Sequence, residues 1–458
     1  MTPILDQQIE EAQQAFAVWK ETPVTQRVLW LKAFQKILQK KSDEIIQVIQ
    51  EETKKPAAEA FNIEIAAVIM TADYYRKKSK AFLKERRAET EWLFKNKAVL
   101  VRRVPHGVVG IIGPSNLPFA LTIGDAIPAL MAGNAVIIKP SEFTPKSAQK
   151  GLELAMEASL PQGLLQVATG GAETGAELVE KSDCIFFTGS TAVGKIIAKK
   201  SAELLKPCIL ELGGKAPLLV LEDADLKRAA RACVWGRFAH SGQHCIAIER
   251  VYVAKKIFQP FVEKVIEETK KIGREELSPL TLPQAAPRIQ AMLAEAQGKG
   301  AAIVYQSPLG PTILTNVNHT MQVMREESFG PLLPIMAFET VEEAIRLAND
   351  SSSGLSATVF SQNLKQAAAV AKQIEAGNIS INDVMDHFMV MDAPFSGWKQ
   401  SGIGTRHSKE GLLQFTKPQT IFRHRFPLPL RRHAEFWWFP YRPAMQKLMR
   451  GLIHFFFG

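Results

Sequence analysis

The chain has 458 residues, 46% hydrophobic and 22% charged, with a formal net charge of +10. That length suggests about three domain-sized units. The ordinary composition, with 29 Gly and 26 Pro, excludes disorder, collagen-like repeats and low complexity as the main reading. Residues 423–458 hold seven Lys and Arg against the single Glu435, so the tail carries +6 of the charge, and a uniformly basic nucleic-acid binder is excluded.

The polar, acidic start MTPILDQQIEEAQQAF is no signal peptide. Ile9, Ala12, Phe16 and Trp19 follow the spacing of one apolar helix face, and Leu31, Phe34, Ile37 and Leu38 repeat it. From about Ala98 the texture turns to β with AVLVRRV. Between Val108 and about Gly213, short apolar runs at 108–112, 135–139, 164–168, 184–187 and 208–212 alternate with helical stretches. That pattern predicts a doubly wound α/β fold with a parallel sheet covered on both faces. A second α/β run follows, with strands at 217–221, 250–253, 356–360 and 378–382 and helices around 256–272 and 362–376. The late strand QFTKPQTIF (414–422) either pairs with AVLVRRV or extends to another subunit. No uncharged apolar run of about 18 residues occurs, so no spanning helix is expected.

The four cysteines, Cys184, Cys208, Cys233 and Cys245, have spacings that suit neither a zinc ribbon nor a disulfide framework. A reduced cytosolic setting follows. Cys184, Cys208 and Cys233 read as small buried hydrophobes. Cys245, after the sharp turn that Gly242 permits, reads either as another of these or as a cysteine at a helix start, its thiolate stabilised by helix amides. His240 and His244 flank it on a turn without an evident fourth ligand, so no metal is expected.

Three further places stand out. GSTAVG (Gly189–Gly194) follows a strand and opens a helix expected over 191–204. It is either a phosphate cradle built from amides and the Ser190 hydroxyl or only a tight turn; the GxGxxG fingerprint is absent. Lys139-Pro-Ser-Glu142 ends a parallel strand, where ligands bind in such sheets. Glu142 either accepts ribose hydroxyls or forms a solvated surface pair with Lys139. Glu211 closes an apolar run. Burial there suits a general base, the alternative being a carboxylate that caps nearby amides.

Taken together, these segments resemble the aldehyde dehydrogenase superfamily. The motifs are Pro114-Ser115-Asn116-Leu117-Pro118, Phe187–Ser190, Glu211–Lys215 (ELGGK), Gly242-Gln243-His244-Cys245, Glu327-Ser328-Phe329-Gly330-Pro331 and Pro394–Gly402. They stand in family order, and the resemblance covers about residues 1 to 422. It implies an NAD-binding domain (1–82 and 106–212), a catalytic domain (213–411) and an oligomerisation ribbon (83–105 and 412–425). It also implies Cys245 as nucleophile, Asn116 as oxyanion donor and Glu211 as general base. The NAD-binding residues implied are Ile112, Gly113, Pro114, Ser115, Lys139, Ser141, Glu142, Gly189, Ser190, Val193, Leu212, Gly213, Glu327 and Phe329, with no metal. Glu142 favours NAD, with NADP as the alternative. Glu211 favours thioester hydrolysis over acyl transfer to a thiol, because the acylating branch lacks a glutamate there. The short N-terminus implies a homodimer.

Ser115 stands where the family usually has an aromatic residue, which should open the substrate channel. The loop Asp383–Asp392, with Phe388, Met389, Val390 and Met391, is expected at its mouth. Three functions compete: an enzyme for long-chain or hydrophobic aldehydes, a succinate-semialdehyde dehydrogenase, which needs a cation in its pocket, and a non-catalytic membrane-bound scaffold. The tail, 426–458, bears on the choice. Met445, Leu448, Met449, Leu452, Ile453 and Phe456 take helical spacing, with Lys447, Arg450 and His454 largely opposite and Trp437 and Trp438 before them. That is the make-up of an interfacial anchor on a membrane surface. The alternative is a tail packed on its own subunit or its partner. The enzyme is accordingly expected in the cytoplasm, peripheral to the inner or cytosolic membrane face.

Overall fold

The helical spacing at the N-terminus forms helix Pro3–Trp19, which buries Ile9, Ala12 and Trp19, and helix Val24–Lys40, which buries Leu31, Phe34 and Leu38. Helices Ser42–Thr53 and Ala66–Phe82 follow, the second entered through a wider turn at Ala60–Ile65. The structure, a computed structural model, describes residues 3–425 and 438–457. It divides into two units. One comprises the chain up to Leu83 and Val104–Lys417; the other comprises Lys84–Arg103 and the chain from Pro418 onward.

The strands, in chain order, are β1 (Arg86–Ala88), β2 (Lys97–Pro105), β3 (Val108–Ile112), β4 (Ala135–Lys139), β5 (Leu165–Val167), β6 (Cys184–Thr188) and β7 (Cys208–Glu211). Then come β8 (Ala216–Val220), β9 (Ile248–Ala254), β10 (Ala302–Gln306), β11 (Thr312–Thr315), β12 (Leu332–Phe338) and β13 (Ser353–Gly354). The last are β14 (Ser356–Phe360), β15 (Asn378–Ile381), β16 (Trp398–Lys399), β17 (Gly402–Ile403) and β18 (Thr416–His424). The first large sheet has the order β17-β7-β6-β3-β4-β5, with β17 antiparallel to β7 and the rest parallel. Every residue of β3, β4 and β6 is buried, as continuous apolar runs covered on both faces should be. The chain leaves β3 for β4 and β5 on one side and for β6 and β7 on the other. The carboxyl end of β3 is therefore a topological switch point, where open α/β sheets bind ligands.

The second sheet has the order β10-β11-β12-β9-β8-β14-β15, parallel except at β10. One apolar core joins residues of both sheets, from Val109 and Ile137 to Val251 and Ile335.

In the other unit, β18 pairs with β2, one of the two alternatives the sequence left open, and β1 completes the sheet. Helix Pro443–Phe457 half-buries Met445, Met449 and Leu452, and Phe456 stacks on Trp92 with ring centroids 4.4 Å apart. Leu448, Ile453, Phe455 and Phe457 stay exposed, as do Trp438, Phe439 and Tyr441. Trp437 and residues 426–436 lie outside the described residues. Among the described residues no helix is long and apolar enough to cross a membrane.

A buried ion pair ties the N-terminal helices to the loop after β3. Lys55 Nζ lies 2.6 Å from Glu64 Oε1, and both side chains are sealed from solvent. Lys55 also donates to the Asn116 carbonyl at 2.7 Å, while Glu64 accepts the amides of Phe119 and Ala120. Removing one member leaves a buried charge uncompensated. Lys55→Met is expected to lower stability by about 3–5 kcal/mol, and Lys55→Met with Glu64→Leu to recover most of it. Urea unfolding of the two variants measures both.

Candidate active site

Three loops converge, each held by buried polar groups. The first follows β3 and carries Asn116. Its Nδ2 donates one hydrogen to the Gln243 carbonyl at 2.7 Å, two residues before Cys245, which leaves the second N–H for a ligand.

The second loop carries Cys245. His240, Ser241 and Gly242 all have positive φ, at 47°, 53° and 80°. This left-handed turn is strained for the first two residues. It persists because its polar atoms are pinned: Glu59 accepts the His240 amide at 3.0 Å, and His240 Nδ1 pairs with the Ser278 hydroxyl at 2.7 Å. Gln243 donates to the carbonyls of His240 and Pro279 and accepts the Thr281 amide. Cys245 therefore sits in a turn between Gly242 and β9, not at a helix start, and the helix amides expected to stabilise its thiolate are not there. Desolvation pushes the thiol up to about 12; Glu327 and Glu211 push the same way, and Arg406 opposes them. His244 is buried and its basicity is pushed down to about 3 by desolvation, with Lys55 and Arg237 adding to it. Cys184 and Cys233 are buried, and Cys208 is half-buried.

The third loop carries Glu327, Ser328 and Phe329. Glu249 in β9 accepts the amides of Ser328 and Phe329 and the Ser328 hydroxyl. It also meets Lys215 Nζ and Arg237 Nη1, each at 2.7 Å. Burial would raise this carboxyl, but Arg237 and Lys215 hold it down at about 2. Phe329 is kept at φ 45° by these bonds.

The glycines of ELGGK follow from close approach. A Cβ on Gly213 would lie 2.5 Å from Glu327 Oε2, and one on Gly214 would lie 2.1 Å from the Cys245 carbonyl oxygen. The Gly214 amide donates to Glu327 Oε1 at 3.1 Å. Burial raises the Glu327 carboxyl to about 7, with Glu249 adding to the effect and the Gly214 amide opposing it.

Glu211, at the end of β7, is 3% exposed, and neither of its oxygens has a hydrogen-bond partner. The amide-capping alternative therefore fails. Burial raises its carboxyl to about 8; Arg406 opposes this and Asp125 adds to it. Arg406 was not foreseen from sequence. It reaches Asp125 through Nε at 2.8 Å and Nη2 at 3.0 Å, and its Nη1 lies 4.0 Å from Glu211 Oε2.

The expected cofactor residues line the carboxyl edge of the first sheet: Ile112 to Ser115 after β3, Lys139, Ser141 and Glu142 after β4, Gly189 and Ser190 after β6, and Leu212 and Gly213 after β7. Lys139 is buried, 3.3 Å from the half-exposed Glu142, so the solvated-pair alternative does not hold for the lysine. Ser190 caps helix Thr191–Glu203, accepting the Val193 amide at 3.4 Å, and Val193 is exposed beside it. A small cavity abuts Glu211's neighbours, with Ala67, Val68, Ala120, Gly124, Pro128 and Phe388 on its apolar side and Asp125, Arg406 and His407 on its polar side.

The family model described as the aldehyde dehydrogenase family matches residues 4–421. The chain belongs to the aldehyde dehydrogenase family. It is 38% identical to the 4,4′-diapolycopene aldehyde oxidase of a Methylomonas species over 99% of this chain and 87% of that one. It is 33% identical to the mitochondrial succinate-semialdehyde dehydrogenase of Oryza sativa, over 90% of this chain and 81% of that one. The solved betaine aldehyde dehydrogenase of Staphylococcus aureus, in complex with NAD+, superposes with a TM-score of 0.87 at 28% identity, covering 95% of this chain and 88% of that one. This aldehyde dehydrogenase is NAD(P)-dependent.

Close approach at Gly214 gives a direct test of the site. Gly214→Ala is expected to lower kcat/KM by about 100-fold, because a displacement of the Cys245 loop of about 1 Å would have that effect. Gly298→Ala, where an added Cβ meets nothing within 4 Å, should leave it unchanged. Steady-state NADH production checks both.

Proposed function

We propose that the chain oxidises a long-chain or hydrophobic aldehyde to its carboxylate with NAD, as a cytoplasmic homodimer held at a membrane surface by its C-terminal tail. The observation that supports the substrate class is the small cavity that shares Asp125 and Arg406 with the surroundings of Glu211. Its walls are mixed, with Ala67, Val68, Ala120, Pro128 and Phe388 facing Thr71, Tyr75, Asp125, Arg406 and His407, and its guanidinium, Arg406, is already taken by Asp125. His407 on the same wall is kept neutral by burial, pushed down to about 3. No unpaired cation is left there, among the described residues, for the carboxylate of succinate semialdehyde. The scaffold reading is disfavoured because Cys245, Glu211 and Asn116 are all kept.

The tail supports the same substrate. The alignment with the diapolycopene aldehyde oxidase runs over 99% of the chain, so it includes the tail. Helix Pro443–Phe457 keeps Leu448, Ile453, Phe455 and Phe457 exposed beside Lys447, Arg450 and His454. That combination suits an anionic lipid surface. Exposed Ile421 and Phe422 in β18, at the edge of its sheet, suit a subunit interface.

The chemistry assigned is covalent. The Cys245 sulfur, once it has lost its proton, attacks the aldehyde carbon and forms a thiohemiacetal. The free N–H of Asn116 and the Cys245 amide take the oxyanion. When bound, NAD supplies the hydride acceptor that converts the thiohemiacetal into a thioester. Glu211 then takes a proton from water, the hydroxide adds to the thioester carbon, and the C–S bond breaks to give carboxylate and thiol. The switch-point crevice fits the cofactor. Ser190, Val193, Lys139 and Glu142 would hold its adenosine half. Glu327, whose Oε2 takes no hydrogen bond among the described residues, would hold the nicotinamide ribose with Phe329 beside it. Glu142 at the strand end favours NAD over NADP.

Decanal should support NADH production with a kcat/KM at least about 10-fold above succinic semialdehyde, since apolar contacts are worth about 10-fold or more per group. Cys245→Ser should abolish both; the reverse preference would establish the semialdehyde reading. In flotation on vesicles containing anionic lipid, the full chain should rise with the lipid and a chain ending at Phe422 should not. Equal flotation of the two would remove the anchor.

A further inference from the structure

We propose that Asp125 and Arg406 form a positioning pair that sets Glu211 as the general base: Asp125 occupies the guanidinium fork of Arg406, leaving a single nitrogen to face Glu211 without bonding it. This rests on the reading of Glu211 as the base for thioester hydrolysis.

The geometry is specific. Asp125 comes from the first turn of helix Ile123–Ala132, Arg406 from the segment before helix Ser408–Leu413, and Glu211 from the end of β7. Arg406 is fixed on all sides. Its backbone bridges Phe395 in both directions, its side chain lies over the rings of Phe186 and Phe388 at 5.3 and 5.9 Å, and Nη2 also donates to the Thr188 hydroxyl at 2.9 Å. Only Nη1 is turned to Glu211, at 4.0 Å, which is beyond hydrogen-bond reach.

That distance matters chemically. A free guanidinium beside a carboxylate closes into a two-bond fork, which fixes the carboxylate and weakens it as a base. A site with no cation would leave a buried carboxyl protonated far above neutral pH. The pair gives the intermediate case: a charge close enough to favour the anion, yet engaged elsewhere, so that both Glu211 oxygens stay free to take a proton from water.

The titratable and charged groups facing Glu211 are few. Asp125 and Arg406 act directly, with Arg406 the stronger. His407 and Tyr75 border the pair, and burial keeps both neutral. Cys245 also interacts with Glu211, its thiol raised by Glu327 and by Glu211. The ionised form of Glu211 is the active one, so hydrolysis should rise with pH through a midpoint near 8. Loss of the Arg406 charge moves that midpoint up. Loss of the Asp125 charge moves it down, because Arg406 then turns its full charge to Glu211.

The test separates hydride transfer from hydrolysis in single turnovers with decanal and NAD+, across about pH 6 to 10. Glu211→Gln should keep the NADH burst and slow hydrolysis by about 100-fold or more. Arg406→Gln should raise the hydrolysis midpoint by about one unit or more, and Asp125→Asn should lower it by about as much. Arg406→Lys, which keeps the charge, should bring it back near the wild-type value. Should Arg406→Gln not fold, the isosteric Asp125→Asn and the charge-keeping Arg406→Lys decide. An unmoved or upward-moved midpoint in Asp125→Asn overturns the positioning pair while leaving Glu211 as base. Normal hydrolysis in Glu211→Gln overturns the reading beneath it.

Discussion

The Glu249 carboxylate is the constraint on which the catalytic geometry depends. It stands in the central strand β9 and gathers Lys215 from ELGGK, Arg237 from helix Leu226–Phe238, and the amides of Ser328 and Phe329. Arg237 in turn donates to the Ile248 carbonyl, just past the Cys245 turn, and to the Gly330 carbonyl. Three segments far apart in sequence therefore share one buried anion. Burying an anion and two cations is expensive, and it is offset only when each lone pair and proton finds a partner. Here they do. Lys215 is pushed down to about 8 by burial, which Glu249 opposes, yet it remains mostly charged at neutral pH, so the pair persists where the enzyme works.

Once that anchor is set, the strain around it becomes intelligible. His240, Ser241 and Phe329 hold left-handed backbones that an isolated peptide would avoid. Each lies in a loop that carries a residue with a proposed role, and each is held by hydrogen bonds from elsewhere in the chain. Gly213 and Gly214 are the complementary device. They remove side chains where the Glu327 carboxylate and the Cys245 carbonyl press closest. Rigidity comes from polar pinning and proximity from absent Cβ atoms, and neither would place the loops alone.

The strands were largely legible in the sequence, because a parallel strand buried on both faces reads as an apolar run whatever its partners. VVGII, AVIIK and SATVF begin and end as read. The Cys245 loop was legible in residue content and not in conformation. Gly242 signalled a turn, but consecutive positive φ values at His240 and Ser241 come from Glu59 and Ser278, which are distant in sequence. Asp125 and Arg406 were invisible for a different reason. An acid in a first helical turn and a lone arginine near a motif each read as a solvated charge, and only the fold brings them together across 281 positions. Lys55 and Glu64 were hidden the same way, inside an amphipathic helical run.

The carboxylates of the site show how one chemical group is given different tasks. Glu249 has two cations and several donors, is held near 2, and is fixed in structure. Glu327 has one amide donor and stands near 7. Glu211 has none and stands near 8, with both oxygens unpartnered in a buried place. An unsatisfied buried carboxyl costs about 2 kcal/mol or more. The least stable of the three carboxyls, with a restrained guanidinium 4.0 Å away, suits the proposed proton acceptor. The gradient from paired to unpaired is thus the physical reason to assign structure to Glu249 and chemistry to Glu211.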